Sequence, residues 1–192
     1  HARLKNAEVG APGSGADKDT DVTVRALNNT DLIGAAGSGA LTVAGQSSKF
    51  SSAIAGAAAI NWLENDTKAR VADTTVHRAG TMDIQAATAG DQVALGLGLS
   101  VASGGKKSVT AAGSASLSRI DGTTLAAVDN SSLDAVDADG DGTYPDLTVV
   151  GYDRSRILTG GGAFYAALGQ QGGGFGAAVT VAALTKTTQA RI

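Results

Sequence analysis

Apolar residues alternate with polar or small ones along most of the chain. The clearest stretch is Val93-Ala94-Leu95-Gly96-Leu97-Gly98-Leu99-Ser100-Val101, in which one face is wholly aliphatic and the other carries only Ala, Gly or Ser. A period of two is that of a β-strand. Val22-Thr23-Val24-Arg25-Ala26, Met82-Asp83-Ile84-Gln85-Ala86 and Leu147-Thr148-Val149-Val150-Gly151 are short alternating stretches of the same kind. Ala57-Ala58-Ala59 is a seed for a helix, but Gly, Ser, Thr and β-branched residues interrupt every longer window, and no apolar period of 3.6 persists. The pattern predicts strands throughout.

The pattern also repeats. Three segments align: Ile60 to Val71, Leu117 to Val128 and Val181 to Ile192. Each reads aliphatic, two residues, Leu or Ile, three residues, then Thr-x-Ala-x-Val/Ile. The copies lie 57 residues apart (Val71 to Val128) and 64 apart (Val128 to Ile192). The linker between copies varies: Asp73 to Gly80 is short, Asp129 to Asp146 is long and acidic, and Gly10 to Asp21 is another long version. A solenoid tolerates variable loops at one place in each repeat, because a loop leaves the stack without disturbing it. The expected architecture is all-β, a parallel solenoid over residues 1–192 with repeats of about 1–71, 72–128 and 129–192. Each repeat is expected to bury an aliphatic face against its neighbours. The small-residue face implies strands covered on both sides, or backbones that approach closely.

Composition narrows the picture. Ala and Gly make up one third of 192 residues, aromatics only 4%, so the 43% hydrophobic content is largely alanine. Two prolines and no G-X-Y period exclude collagen, and the absence of Cys excludes a disulfide scaffold. A 17% charged fraction with net charge −3 argues against disorder and offers no basic field for a nucleic acid. The acids are 16 Asp against 2 Glu, a skew toward turns. Ile157 to Thr185 holds no charge, but Gly160-Gly161-Gly162, Gln170-Gln171 and Gly172-Gly173-Gly174 break it, so no membrane-spanning segment is expected.

Candidate chemistry concentrates in Asp137-Ala138-Asp139-Gly140-Asp141-Gly142-Thr143-Tyr144-Pro145-Asp146. Asp at loop positions 1, 3 and 5 with Gly at 6 is the front half of a calcium loop, since alternate carboxylates converge on one hard cation and Gly allows the sharp turn. Position 12 is Thr148 where Glu belongs, so Asp146 or Asp134 would stand in. The candidate ligands are Asp137, Asp139, Asp141 and Asp146, set against the reading of a solvated acidic loop. Gly104-Gly105-Lys106-Lys107-Ser108 fails as a phosphate loop and reads as a hairpin or loop tip, and Gly173-Gly174-Phe175-Gly176-Ala177-Ala178 lacks the Asp of a calcium nonapeptide. A Ser-His-Asp site would have to use His77, flanked by Asp73 and Arg78; Asp153, Arg154 and Arg156 sit together, as do Asp73 and Asp83. None of these is specific, and no enzyme is expected. Asn28-x-Thr30, Asn65-x-Thr67 and Asn130-x-Ser132 match glycosylation acceptors but fall where turns are expected.

The run Ala59-Ile60-Asn61-Trp62-Leu63-Glu64-Asn65-Asp66-Thr67-Lys68-Ala69-Arg70-Val71 resembles a repeat of the filamentous-haemagglutinin-like adhesins, very large secreted bacterial exoproteins. In the second and third copies Asn61 is replaced by Ser118 and Ala182, and Asn65 by Gly122 and Lys186. The resemblance covers nearly the whole chain after about Asp21. It implies a right-handed parallel β-helix, export to the cell surface, and service as stalk or passenger, with host or bacterial surface glycans and proteins, or neighbouring adhesin repeats, as partners. On that expectation residues 1–192 are a segment of a longer solenoid. The alternatives are a calcium-dependent carbohydrate- or surface-binding module and a glycan-degrading β-helix enzyme.

Overall fold

The computed structural model describes residues 1–10, 20–45, 47–135 and 146–192. Among them there are twelve strands and no helix: β1 (Ala2–Lys5), β2 (Glu8–Val9), β3 (Thr20–Asn29), β4 (Leu32–Val43), β5 (Phe50–Ala72), β6 (Thr75–Ala89), β7 (Asp91–Ser103), β8 (Lys107–Asp129), β9 (Ser132–Ala135), β10 (Leu147–Asp153), β11 (Arg156–Leu168) and β12 (Gln171–Arg191). Ala57-Ala58-Ala59 lies inside β5. Every pairing is parallel. Sheet A runs β1-β5-β8-β12, sheet C runs β11-β7-β4, and in sheet B the central β6 pairs with β2 and β3 on one side and with β9 and β10 on the other. The chain is a parallel β-helix.

The sequence copies stack residue on residue. Val71 pairs with Val128 and Ala127 with Arg191, which reproduces the 57- and 64-residue offsets. Val22 and Leu147 both pair with Met82. β6 shifts register on both sides of Ala79, between Val76 and Ala79 against β9 and between Ala79 and Met82 against β3. The described residues on either side of the two long linkers, Val9 and Thr20 in the first turn and Ala135 and Leu147 in the third, all pair with β6 between Val76 and Met82; the linkers themselves, 11–19 and 136–145, lie outside the described residues.

A single turn is a flattened loop of two layers. Sheets B and C lie end to end and together cover sheet A, whose middle strands are 23 residues long, roughly 75 Å at about 3.3 Å per residue. Two corners have readable chemistry. Asn6, Asp73 and Asn130 occupy equivalent places after sheet A, each left-handed with φ of 50°, 50° and 45°. Asn and Asp tolerate this region best among residues with a side chain, because a local hydrogen bond offsets the crowding at Cβ. Asn130 Nδ2 donates to Asp73 Oδ1 at 2.9 Å, linking two of the corners along the stack. At the opposite end Gly104 turns β7 into β8 with φ 86°, and a Cβ there would lie 1.9 Å from the Ala44 carbonyl oxygen.

The two halves of the loop are packed with opposite polarity. Where sheet B covers sheet A, Val22, Val24, Met82 and Ile84 meet Ala69, Val71, Ala126 and Val128 in an aliphatic core. Arg25 pairs with Asp83 on the outside, and Arg70 with Asp129. Where sheet C covers sheet A, the inward residues after Gln92 are small: Ala94, Gly96, Gly98, Ser100 and Ala102 from β7, against Ser108, Thr110, Ala112, Ser114, Ser116 and Ser118 from β8. Leu95, Leu97 and Leu99 point outward and are 42%, 54% and 51% exposed. The expectation that the aliphatic face is buried fails in this half. The physical reason is the layer spacing. A Cβ on Gly98 would lie 2.4 Å from the Gly113 carbonyl oxygen and one on Gly96 2.9 Å from that of Ala115, so the backbones nearly touch and leave no gap for leucine.

Candidate functional site

Of the four candidate calcium ligands, Asp137, Asp139 and Asp141 lie outside the described residues. Asp146 is exposed at the stem, and its carbonyl oxygen accepts a hydrogen bond of 3.0 Å from the Met82 amide. Across the same gap Asp21 Oδ1 accepts from the Thr81 amide at 2.8 Å. Asp134 does not join Asp146; it turns to His77. Among the described residues no three His, Asp or Glu side chains gather around one point.

His77 stands between neighbouring turns. Its Nε2 is 3.0 Å from Glu8 Oε1 and its Nδ1 is 3.3 Å from Asp134 Oδ2. The three residues form a ladder along the stack, with each carboxylate on a different ring nitrogen, so they do not converge on a shared ligand. The sequence-adjacent Asp73 instead takes Asn130 at the corner. The polar contacts of both ring nitrogens are carboxylates, and neither orients a hydroxyl nucleophile as a Ser-His-Asp site requires.

The basic and acidic pairs seen in the sequence separate in space. Asp153 has only 3% of its side chain exposed; Lys186 Nζ donates to it at 2.8 Å and to the Ser155 carbonyl at 2.7 Å, and the Ser155 hydroxyl donates at 2.7 Å. Burial pushes this carboxyl up, but the hydrogen bonds from Lys186 and Ser155 outweigh it and hold it below its usual value of 3.8. Arg154 stacks over the Tyr152 ring at 4.8 Å, and Arg156 grips Asp91 through two bonds of 2.8 and 2.6 Å. Asp83 belongs to Arg25 and is not associated with Asp73. Arg156–Asp91 and Arg25–Asp83 tie successive turns of the stack, whereas Lys186–Asp153 joins β12 to the end of β10 within the third turn.

The corner between sheets B and C forms an open cleft of about 530 Å³ lined by Asn29, Asp31, Asp91, Arg154, Ser155 and Arg156. Asp31 Oδ1 accepts from the Asp91 amide at 2.9 Å, and Asp31, Asp91 and Arg156 follow one another in register. The charges line a furrow across the stack and compensate one another.

Asn61 and Asn65, the asparagines of the repeat motif, both face inward. Asn61 Nδ2 donates to the Val93 carbonyl at 2.7 Å, tying sheet A to sheet C, and Asn65 Oδ1 accepts from Asn28 Nδ2 at 3.1 Å, tying sheet A to sheet B. Asn61 needs Gly34 opposite it, where a Cβ would sit 2.1 Å from its Oδ1. The positions in register with that pair are Ala94 with Ser118 and Thr159 with Ala182. As the sheet A residue shrinks from Asn to Ser to Ala, its sheet C counterpart grows from Gly to Ala to Thr. Sequence reasoning missed this exchange, although the three residues on each side were available for comparison.

No helix among the described residues is long and apolar enough to cross a membrane. No family model, curated protein or solved structure matches the chain.

Proposed function

We propose that the chain is a passenger segment of a secreted bacterial surface adhesin, a rigid panel that presents broad sheet faces. The supporting observation is the shape of one turn. A turn consumes 56 to 67 residues between paired positions yet advances the stack by a single strand spacing, about 4.8 Å. The same turn is some 75 Å wide by the strand length above. Such a module gains little length per residue and much flat surface, which favours contact over spacing. The resemblance of Ala59 to Val71 to haemagglutinin-type repeats supplies the secreted setting. Antibody labelling of intact cells producing the parent chain, with soluble module as competitor in an adherence assay, tests the reading. Labelling without permeabilisation and reduced adherence are expected; labelling only after permeabilisation contradicts it.

A second reading, a calcium-dependent carbohydrate- or surface-binding module, has one observation in its favour. The described residues that flank the two acid-bearing linkers come to one part of β6, where Asp21 and Asp146 accept from the neighbouring amides of Thr81 and Met82. Calorimetric titration with Ca²⁺ tests it: heat that disappears in Asp139→Ala supports this reading, and no heat in the unaltered chain removes it.

A further inference from the structure

The outer face of sheet C is a continuous apolar surface. Its outward positions from Ile33 to Val43, Val93 to Ser103 and Leu158 to Leu168 contain no charged residue. Ile33, Phe164 and Leu168 are 75%, 65% and 62% exposed around the central leucine row. Soluble monomers rarely leave a contiguous apolar patch of more than a few hundred Å² bare. Three strands of up to 13 residues give a flat footprint of roughly 600 Å², and side-chain relief brings this toward the ~800 Å² per partner of a standard stable interface.

The borders of this face carry different charges. One end is the row Asp31, Asp91, Arg156, one residue from each turn. The other end is the tip, where the first turn carries Lys49, the second Lys106 and the third the neutral Gln170. Laying two copies face to face with strands antiparallel and stacks parallel puts Asp31 against Lys49, Asp91 against Lys106, and Arg156 against Gln170. Acid meets base in two turns, and Arg156, already bonded to Asp91, meets a neutral tip.

We propose that a second copy of this chain covers the outer face of sheet C, about a two-fold axis parallel to the stack and passing over Leu97, the central residue of β7. The inference stands on the fold and its charge pattern and is independent of the adhesin reading. Lipid is the poorer occupant. The charged borders, Asp31 and Asp91 at one end and Lys49 and Lys106 at the other, find partners on a second copy and none in hydrocarbon. Because the axis follows the stack, the same contact continues turn by turn in a longer solenoid and pairs two fibres side by side.

Sedimentation equilibrium of the full chain tests the pairing. A species of twice 18.8 kDa is expected, dissociating at least tenfold more readily in Leu97→Glu and several-fold more readily in Lys106→Glu, with β-sheet circular dichroism unchanged. A second measurement is indifferent to the folding of those variants. The chain has no Cys, so Leu97→Cys introduces one thiol that faces its own copy across the axis and is expected to oxidise to a covalent dimer. Val43→Cys, at the far end of β4, is expected to remain a monomer under the same conditions. A chain that stays monomeric at 100 μM, oligomers untouched by Leu97→Glu, equal cross-linking at the two thiols, or a monomer that binds neutral phosphatidylcholine vesicles would each overturn the proposal.

Discussion

The half of the loop under sheet B and the half under sheet C share one long sheet, yet they solve the packing problem in opposite ways. Under sheet B the gap is wide enough for Val, Ile and Met, and stability comes from removing apolar area from water. Under sheet C the backbones approach at Gly98 and Gly113, the interior is Gly, Ala and Ser, and the aliphatic residues stay outside. Ser38, Ser108, Thr110, Ser114, Ser116 and Ser118 have buried hydroxyl oxygens without a hydrogen-bond partner in that half. Each such hydroxyl costs about 1–3 kcal/mol of desolvation. Alternation thus fixes two faces per strand, and the layer spacing decides which of them is the core.

The largest expected effect breaks the conventional half. Ile84 is fully buried, and Ile84→Ala should destabilise by about 2–5 kcal/mol in urea denaturation. In the inverted half the sensitive position is the smallest residue: Gly98→Ala should cost about 1–3 kcal/mol, because the added methyl meets a backbone oxygen that no rotamer can move. Asp153→Asn, at the corner between the halves, weakens the charged bonds from Lys186 by about 1–2 kcal/mol at pH 7. The sign with pH follows from the lowered carboxyl. Its contribution is complete above the unfolded value of 3.8 and is lost as pH falls through the depressed folded value, so melting curves of the two proteins should converge toward pH 2. Ser116→Ala removes an unpartnered hydroxyl and should stabilise by up to about 1 kcal/mol. Ile60→Ala, on the exposed face of sheet A, should change stability by less than about 1 kcal/mol although it deletes as many atoms as Ile84→Ala.

The stacking register was legible to the residue, because it is written in the Thr-x-Ala-x-Val/Ile copies and their offsets. Of the left-handed corners Asn130 was legible as a turn residue, and the tip as the Gly104-Gly105 pair. The inversion under sheet C was not. Burial of Leu95, Leu97 and Leu99 is the ordinary expectation of the hydrophobic effect, and only the approach of Gly96 and Gly98 to the opposite layer reverses it. A one-residue change of register would exchange the two faces without altering the pattern. The side-chain partners were equally hidden: Asp153, Arg154 and Arg156 are neighbours in the chain, but their contacts come from β12, Tyr152 and β7.

Single-cysteine labelling measures the inversion most directly, since the chain has no Cys of its own. Two positions on sheet A lie away from the proposed pairing face: Ile60, aliphatic and 70% exposed, and Ser116, polar and 2% exposed. With small residues as the interior, Ile60→Cys reacts with a maleimide in the folded protein nearly as fast as in denaturant, and Ser116→Cys reacts only on unfolding. Protection of the thiol at 60 together with rapid labelling at 116 would contradict the inverted half and restore an aliphatic core there.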